Sequence, residues 1–229
     1  MVEIRAHHFH GRRVARPLRR HPLELMQALL PALRIANTAP ELSQPKALFA
    51  HAPQEVWLEI GFGGGEHLAH RAAENPHIGM IGAEPFVNGV AKLLSQIEDR
   101  GLKNIRICDD DARYLVENLG DSTISRAFIL YPDPWPKARH LKRRIISDKL
   151  VSELARVLKP GAELLFASDI PHYAAWTLEH LARSPHFEWT ANRAADWRQA
   201  PPGWPGTRYE EKALKAGRTP AYLTFRRLP

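Results

Sequence analysis

Short apolar runs alternate with longer segments of helical periodicity from residue 56 onward, and this alternation limits the chain to few folds. Strands that alternate with helices are typical of a parallel sheet with helices on both of its faces. The sequence predicts strands at 56–60, 78–83, 105–108, 127–131, 163–167, 187–191 and 222–226, and helices at 66–74, 87–100, 112–118, 143–158 and 172–183. We therefore predict an α/β fold with a mostly parallel, doubly wound sheet of seven strands.

The composition excludes several classes of protein. The 229 residues can form one large core, because a chain of this size buries about 70% of its surface on folding. No apolar run approaches the roughly 20 residues of a membrane-spanning helix, and Met1 is not followed by an apolar leader. Cys108 is the only cysteine, which excludes a disulfide framework and a multi-cysteine zinc site within one chain. We predict a cytoplasmic monomer or homodimer with no metal site.

Positive charge is concentrated in three segments, although the whole chain carries a net charge of only +7. Residues 1–22 hold six arginines against one glutamate, residues 137–149 six basic residues against one aspartate, and residues 207–229 six basic residues against two glutamates. Such clusters are typical of nucleic-acid-binding proteins, because contacts to phosphates supply most of the sequence-independent affinity. We predict a nucleic-acid partner, a basic N-terminal arm with a short helix at residues 1–50, and the main domain at residues 51–229.

The junction between the first predicted strand and the first predicted helix is rich in glycine. It reads Glu59-Ile60-Gly61-Phe62-Gly63-Gly64-Gly65. Glycines at this place let the backbone turn sharply and let a ligand lie directly against it. The spacing differs from that of a dinucleotide-binding fingerprint, whose third glycine would fall at Glu66.

Acidic residues are found at the ends of the first three predicted strands. Glu84 ends the second strand about 20 residues after the glycines, where a carboxylate can accept hydrogen bonds from both ribose hydroxyls. Asp109, Asp110 and Asp111 follow the third strand. The three strand ends carry carboxylates, and the glycine-rich loop has no lysine that could bind phosphates. This combination favours an adenosine ligand that carries positive charge over one that carries phosphates. We therefore predict S-adenosylmethionine as the cofactor.

A proline-rich loop follows the fourth predicted strand. Prolines at 132, 134 and 136 stiffen this loop and fix the direction of the Asp133 carboxylate. Trp135 offers a flat surface on which an extruded base can stack. The basic run at residues 137–144 is then placed to contact the flanking phosphates.

These motifs resemble those of the bacterial tRNA (guanine-N7-)-methyltransferases, and the likeness extends over most of the chain. It rests on residues 59–65, 84–86, 132–135, 137–140, 142–144, 168–169 and 206–210. Pro136, where a histidine is usual, and Leu141, which interrupts the polar run, depart from the pattern. The resemblance implies a Rossmann-like class I methyltransferase fold, and methyl transfer from S-adenosylmethionine to N7 of guanine 46 in the variable loop of tRNA.

The same resemblance implies roles for individual residues. Asp133 is implied as the catalytic acid and also as a cofactor contact. The other implied cofactor contacts are Glu59, Gly61, Gly63, Gly65, Glu84 and Asp111, the last preferred to Asp109 and Asp110 by alignment with the following helix. The implied substrate contacts are Lys137, Asp169, Thr207, Arg208, Tyr209 and Glu210, and the implied RNA contacts are Arg139, His140, Lys142, Arg143 and Arg144.

Guanine N7 carries a free lone pair, so its methylation requires alignment and no general base. Carboxylates beside the ring stabilise the developing positive charge and can recognise the N1–H and 2-amino donors that distinguish guanine from adenine. Asp133, Asp169 and Glu210 are the candidates for this contact, and the sequence leaves the choice among them open.

Two other functions remain open from the sequence. An enzyme that methylates the exocyclic amino group of adenine uses an Asp-Pro-Pro-aromatic type of loop, but Trp135 replaces the second proline. A non-catalytic RNA-binding module has no reason to retain acids at three strand ends. Outside the motifs, Cys108, Trp189, Trp197 and Trp204 are predicted to be packing residues, and His7, His8 and His10 to contact solvent or RNA.

Overall fold

The computed structural model describes residues 10–229, so His7 and His8 lie outside the described residues. The strands are β1 (Glu55–Ile60), β2 (Ile78–Ala83), β3 (Ile105–Cys108), β4 (Ile124–Leu130), β5 (Leu158–Ser168), β6 (Phe187–Trp189) and β7 (Ala221–Arg227). The helices are α1 (Arg20–Ala28), α2 (Leu30–Leu33), α3 (Glu66–Glu74), α4 (Val87–Arg100), α5 (Ala112–Asn118), α6 (Asp148–Val157), α7 (Pro171–Arg183), α8 (Ala195–Arg198) and α9 (Arg208–Lys215).

The strands form one seven-stranded sheet in the order β3-β2-β1-β4-β5-β7-β6. The neighbours from β3 to β5 pair in parallel, whereas β7 pairs antiparallel with both β5 and β6. The predicted mostly parallel sheet of seven strands is therefore confirmed. The bounds of β2, β3, α3, α4 and α5 coincide with the predicted ones.

The segment between β4 and β5 differs most from the prediction. Helix α6 begins at Asp148 and not at residue 143, because Ser147 caps it and its Oγ accepts a hydrogen bond from the Leu150 N–H at 3.3 Å. Residues Ala138–Arg143 form a 3₁₀ turn instead. Strand β5 follows α6 directly at Leu158, five residues before the predicted start. At the sheet edge, β6 ends at Trp189, two residues before the predicted end.

Apolar side chains cover both faces of the sheet. Leu58, Ile81 and Ile129 belong to a buried cluster that α5, α6 and α7 complete on one face. Met80 and Ile107 belong to a second cluster, which α1, α3 and α4 complete. Full burial of a side chain of this size contributes about 1.5–3 kcal/mol, so the two clusters hold the strand ends in fixed positions.

The described part of the N-terminal segment packs against the sheet on its β2–β3 side. Helix α1 lies along α4, where Leu25 is buried in the second cluster. Residues 10–16 pass the start of α4, where the Arg13 carbonyl accepts a hydrogen bond from the Val87 N–H at 2.9 Å. The Asn88 side chain bonds to the backbone of Ala15 and Arg16 at 2.9 and 2.8 Å. The division of the chain at residue 50 remains a prediction.

The order of the strands reverses between β1 and β4. The chain moves outward from β1 through β2 to β3 and then returns to place β4 on the other side of β1. In doubly wound sheets a crevice opens beyond the carboxyl ends of the two strands at such a reversal. Separately, none of the helices within residues 10–229 is both long and apolar enough to cross a membrane.

Candidate active site

A cavity of about 390 Å³ lies at the carboxyl ends of β1 and β4, where the strand order reverses. Small-molecule sites commonly have volumes of roughly 300–1,000 Å³ and lie at such reversals. The glycine loop, the end of β2, the start of α5, the loop after β4, α9 and the N-terminal segment all contribute to the wall. Its polar and aromatic residues include Arg12, Glu84, Phe86, Asp111, Arg113, Tyr131, Asp133, Trp135, Arg143 and Tyr209.

The three predicted glycines have left-handed backbones, but they serve different purposes. Gly61 and Gly63 line the cavity with φ angles of 74° and 57°. Gly65 is the N-cap residue directly before α3, with a φ of 77°, and a Cβ atom there would come within 2.7 Å of Leu93 Cδ1. Gly65, predicted to contact the cofactor, does not line the cavity, because its missing side chain makes room for α4 instead.

Glu84 lines the cavity beside the glycine loop, where the sequence predicts a cofactor ligand. Its Oε2 accepts a hydrogen bond from the Gly63 N–H at 2.8 Å, and its Oε1 accepts one from the Phe86 N–H at 3.0 Å. Burial raises the pKa of Glu84 to about 7, and the charge of Asp133 acts in the same direction, while the two backbone N–H groups act against them. The positive charge of Arg208 also lowers this pKa, but its effect is smaller than that of burial.

The structure distinguishes the three aspartates after β3. Asp109 pairs with Arg34 at 2.7 Å and Asp110 pairs with Arg13 at 2.6 Å, and neither lines the cavity. Asp111 does line it. The Asp111 carboxylate also caps α5 by accepting a hydrogen bond from the backbone N–H of Arg113 at 3.0 Å.

Glu59, predicted to be a cofactor ligand, points away from the cavity. It is only 2% exposed, and its Oε2 lies 2.7 Å from Nδ1 of His67, a residue of α3 that is also buried. Because the carboxylate is turned toward this partner, Glu59 does not line the cavity. Glu59 stands directly before the glycine loop in the sequence, which is why it was predicted to be a ligand. Its position in the sequence does not reveal that the side chain points away from the cavity.

The loop after β4 has an unusual backbone. Tyr131 and Trp135 have φ angles of 50° and 41°, a region that residues other than glycine rarely occupy. Such conformations cost of order 1–3 kcal/mol each and are concentrated at functional sites. Between them, Asp133 lines the cavity and remains accessible, and desolvation by the surrounding protein raises the pKa of its carboxyl.

Trp135 lines the cavity, but part of its ring is already in contact with other side chains. The Arg143 guanidinium lies over the ring at 5.1 Å from its centre. His140 and His10 meet the ring edge-on at 5.8 and 6.4 Å. A base that stacks on Trp135 therefore has to use the other ring face or displace Arg143.

Arg144, predicted to contact RNA phosphates, is a buried structural residue. It is 3% exposed, its Nε donates to the Pro134 carbonyl at 3.0 Å, and its Nη2 lies 2.7 Å from Nδ1 of His172. Its guanidinium also lies against the rings of Tyr173 and Trp176, at 4.5 and 5.0 Å. Arg144 thus anchors the proline-rich loop to α7 and is not available to a phosphate.

The other members of the predicted RNA-contacting run lie nearer to solvent. Arg139 and Lys142 are exposed on the 3₁₀ turn, and His140 and Arg143 are partly buried against Trp135. Desolvation lowers the pKa of His140, and the neighbouring positive charges of Arg143, Arg139 and Lys137 act in the same direction.

The predicted substrate contacts divide into three kinds. Tyr209 lines the cavity, with Arg208 stacked on its ring at 4.9 Å. Lys137 is exposed beside the proline-rich loop, and Asp169 pairs with Arg218 at 2.6 Å, both outside the cavity wall. Thr207 and Glu210 form the capping box of α9.

Glu210, one of the three candidates for the contact with the guanine edge, is turned inward. The carboxylate is 8% exposed and accepts hydrogen bonds from the Trp204 indole at 2.5 Å and from the Tyr222 hydroxyl. Of the three carboxylates considered for the guanine edge, Asp133 is the one that lines the cavity.

Several residues of the cavity wall were not predicted. Tyr131 carries a buried hydroxyl, and burial raises the pKa of that hydroxyl above its ordinary value, with Glu210 and Tyr222 acting in the same direction. Arg113 and the segment at His10, Gly11 and Arg12 also line the cavity. The basic composition of the N-terminal segment indicated RNA binding and gave no sign that it reaches the glycine loop. Among residues 10–229, no group of three or more histidine, cysteine or acidic side chains could hold a metal ion.

Comparison with known proteins gives consistent results. The family model described as "Putative methyltransferase" matches residues 53–223. The chain is 52% identical over 217 residues to a protein of Agrobacterium fabrum named tRNA (guanine-N(7)-)-methyltransferase, covering 95% of this chain and 94% of that one. Proteins with the same name from Rhizobium meliloti and Rhodospirillum rubrum are 51% and 48% identical, each over 96% of this chain and over 94% and 88% of their own lengths.

Solved structures share the fold at low sequence identity. The 16S rRNA methyltransferase KamB superposes with a TM-score of 0.56 at 17% identity, covering 82% of this chain and 93% of that chain. A 16S rRNA (adenine(1408)-N(1))-methyltransferase mutant from Catenulisporales acidiphilia, solved with its cosubstrate SAM, gives a TM-score of 0.53 at 15% identity, covering 83% of this chain and 92% of that chain. At these identities the likeness shows the fold alone, which is the Rossmann-like class I methyltransferase fold predicted from the sequence.

Proposed function

This chain belongs to the family of tRNA (guanine-N7-)-methyltransferases, and from this premise we propose that it methylates guanine 46 in the variable loop of tRNA. Relatives of that name are about half identical to it over nearly the full chain. The protein is an S-adenosylmethionine-dependent tRNA methyltransferase that acts on N7 of guanine. The observation that carries the proposed site is that Glu84 and Asp133 share one cavity beside the glycine loop.

The cavity suits the chemistry of S-adenosylmethionine. Glu84 and Asp133 repel each other, as the effect of Asp133 on the pKa of Glu84 indicates, and a cationic ligand relieves this repulsion. Gly61 leaves open space where a Cβ atom would stand, so backbone can approach the ligand there. We assign the cofactor to Gly61, Gly63, Glu84, Asp111 and Asp133. Glu59 and Gly65 act on the shape of the loop, because neither reaches the cavity.

The residues of the cavity promote transfer by alignment and by charge. S-adenosylmethionine supplies, when bound, an electrophilic methyl group on a positively charged sulfur. Glu84 fixes the ribose side of the ligand, and the stiff loop around Asp133 sets the direction from which the guanine approaches. Correct alignment of two reactants can contribute roughly 7–11 kcal/mol. Positive charge moves onto the guanine ring during transfer, and the Asp133 carboxylate stabilises this charge without having to accept a proton.

The RNA reaches the cavity across its basic surroundings. We assign Arg139, His140, Lys142 and Arg143 to the phosphates near the target base, and Lys137, Asp169, Thr207, Arg208 and Tyr209 to the nucleotide itself. Arg144 and Glu210 support these contacts from inside the protein. The adenine-directed and non-catalytic alternatives receive no support from the names of the relatives that match nearly the full chain. We place the enzyme in the cytoplasm. It is a monomer or a homodimer, and light scattering distinguishes these two states.

The decisive experiment maps the methylated nucleotide. The protein is incubated with labelled S-adenosylmethionine and an unmodified tRNA transcript, and the RNA is then cleaved chemically at 7-methylguanosine. We expect label and cleavage at guanine 46, and neither in a transcript that carries adenine at that position. Cleavage at another guanine would contradict the assigned position, and label without cleavage would contradict methylation at N7.

A further inference from the structure

Trp204, predicted to be a packing residue, makes specific contacts on both sides. Its indole Nε1–H donates to Glu210 Oε2 at 2.5 Å. Its ring lies 5.1 Å from the His67 ring at an angle of 39°, and 5.5 Å from the Tyr222 ring at 76°. Because tryptophan has a single polar hydrogen, its whole hydrogen-bonding capacity is used by Glu210.

On one side of Trp204, His67 is held in a single tautomer. The Arg71 guanidinium can only donate, and its Nε lies 3.3 Å from His67 Nε2, so that nitrogen acts as an acceptor. The other ring nitrogen, Nδ1, then carries the proton and donates it to Glu59 Oε2 at 2.7 Å. His67 is 1% exposed and Glu59 is 2% exposed, so solvent does not compete for this bond.

On the other side of Trp204, Glu210 fixes the start of α9. Besides the indole, it accepts a hydrogen bond from the Tyr222 hydroxyl, and its Oε2 accepts one from the Thr207 N–H at 3.3 Å. The Thr207 hydroxyl in turn accepts from the Glu210 N–H at 3.1 Å. These bonds set the position of Arg208 and Tyr209, the first two residues of α9.

Both ends of this series of contacts reach the glycine loop. Glu59 stands two residues before Gly61 in the chain. Tyr209 packs on the loop itself, since a Cβ atom on Gly63 would lie 2.9 Å from Tyr209 Cε2. The series Glu59, His67, Trp204, Glu210 and Tyr209 is therefore a closed ring of contacts that begins and ends at the loop that lines the cofactor cavity.

We propose that Trp204 and His67 are positioning residues, which set where Arg208 and Tyr209 hold the guanine relative to the cofactor. This inference rests on the proposed function. Neither residue lines the cavity, so each acts through the ring of contacts and not by touching a ligand. A misplacement of about 1 Å in such a contact can lower a rate by as much as a hundredfold, whereas it need not change the affinity for either ligand.

The test compares Trp204→Phe with Trp57→Phe. Each change keeps an aromatic ring and removes an indole N–H, which in Trp57 donates to Glu55 at 3.0 Å near the start of β1. Single-turnover methyl transfer is measured at saturating S-adenosylmethionine over a range of tRNA concentrations, and cofactor affinity by calorimetry. For Trp204→Phe we expect a maximal rate at least about tenfold lower, with both affinities within about twofold of the wild type. Trp57→Phe should match the wild type.

A second variant tests the contacts of Trp204 on the His67 side. His67→Asn keeps an N–H donor for Glu59 but removes the ring on which Trp204 packs. We expect it to lower the maximal rate as Trp204→Phe does, and the double variant to be no slower than the slower single one, because all three break the same connection. Hydrogen exchange at residues 207–211 should be faster than in the wild type in both single variants.

Two results would overturn the inference. A Trp204→Phe rate within about twofold of that of Trp57→Phe would show that the indole bond does not position the substrate. A loss of cofactor affinity equal to the loss of rate would show a purely structural role. If the wild type methylates tRNA at guanine N7, either result overturns the inference alone and leaves the proposed function standing. An inactive wild type would overturn both the inference and the proposed function.

Discussion

At the scale of single residues, the cavity brings together carboxylates that differ in how they are held. Glu84 is bonded to two backbone N–H groups and has a raised pKa near 7, whereas Asp133 is set on a stiff loop and remains accessible. The first arrangement suits a fixed ligand such as a ribose. The second suits a group that meets an incoming base.

Glu84→Gln should weaken the binding of S-adenosylmethionine at pH 8 by at least about tenfold, because a charge-assisted hydrogen bond to ribose is lost. The wild-type affinity should rise with pH through about 7, as Glu84 ionises, and level off above it. Calorimetry between pH 6 and about pH 8.5 measures both effects. Asp109→Asn is the matched control, because Asp109 pairs with Arg34 outside the cavity. An unchanged affinity in Glu84→Gln would remove Glu84 from the cofactor site.

The same substitution should change stability in the opposite sense. The pKa of Glu84 is raised from an ordinary value of 4.5 to about 7 in the folded protein, so the folded state binds its proton more tightly than the unfolded state does. The contribution of Glu84 to stability is therefore fully present below about pH 4.5 and is lost as the pH rises through about 7. Thermal unfolding without cofactor should show Glu84→Gln to be more stable than the wild type at pH 8, with a smaller difference at pH 5. A constant difference would mean that Glu84 does not titrate in this range.

Asp133→Ala should abolish most methyl transfer while lowering the cofactor affinity less than Glu84→Gln does. The carboxylate faces the reacting base, so its loss acts mainly on the transition state. Single-turnover rates and calorimetry separate the two effects. A rate within about threefold of the wild type, equivalent to less than 1 kcal/mol, would exclude a catalytic role.

At the scale of secondary-structure elements, local sequence signals predicted where several helices begin and end, but not which side chains of different elements contact each other. The bounds of α3, α4 and α5 follow from glycines, prolines and an aspartate cap that act on neighbouring residues. The predicted start of α6 at residue 143 is too early. The apolar residues 145–146 extend the helical pattern to the N-terminal side of Ser147, but the helix begins only after this cap. Glu59, Arg144 and Glu210 were assigned to ligands by position along the chain. Their actual partners His67, His172 and Trp204 come from other elements, which no local pattern reveals.

Arg144→Ala should lower the thermal stability of the protein without changing how tRNA affinity depends on salt. The change removes a hydrogen bond to the Pro134 carbonyl, a contact with His172 and two contacts with aromatic rings. Together these should cost about 2 kcal/mol or more. Arg143→Ala, next in the chain but only partly buried, is the control for stability. An Arg144→Ala protein as stable as the Arg143→Ala protein would contradict the anchoring role.

At the scale of the whole molecule, the charge distribution predicts how the enzyme meets RNA. Arg144 is buried, whereas Arg139 and Lys142 are exposed on the same 3₁₀ turn as Arg143, which lines the cavity. Arg12, from the basic N-terminal segment, reaches the same cavity. Arginines from two distant parts of the sequence therefore line one cavity.

Replacing both Arg139 and Lys142 with alanine should lower the affinity for all RNAs by a similar factor and reduce the salt dependence of binding. Each lost phosphate contact reduces the slope of log affinity against log salt by about 0.7–0.9, so the pair should reduce it by roughly 1–2 units. Affinity for tRNA is measured at several salt concentrations, with Lys103→Ala as the control, since Lys103 is exposed just before β3, at the edge of the sheet opposite the cavity. Parallel slopes would move the phosphate contacts to the N-terminal segment.

The contact between Gly63 and Tyr209 has a consequence for natural variation. These positions are 146 residues apart, yet a Cβ atom at 63 would lie only 2.9 Å from the ring of Tyr209, so that ring would have to move, and the left-handed backbone at 63 adds strain. Related sequences should therefore change the two positions together. A residue larger than glycine at 63 should occur only where 209 carries a smaller side chain, and an aromatic residue at 209 should predict glycine at 63. An alignment of relatives in which the two positions vary independently would show that α9 approaches the glycine loop differently across the family.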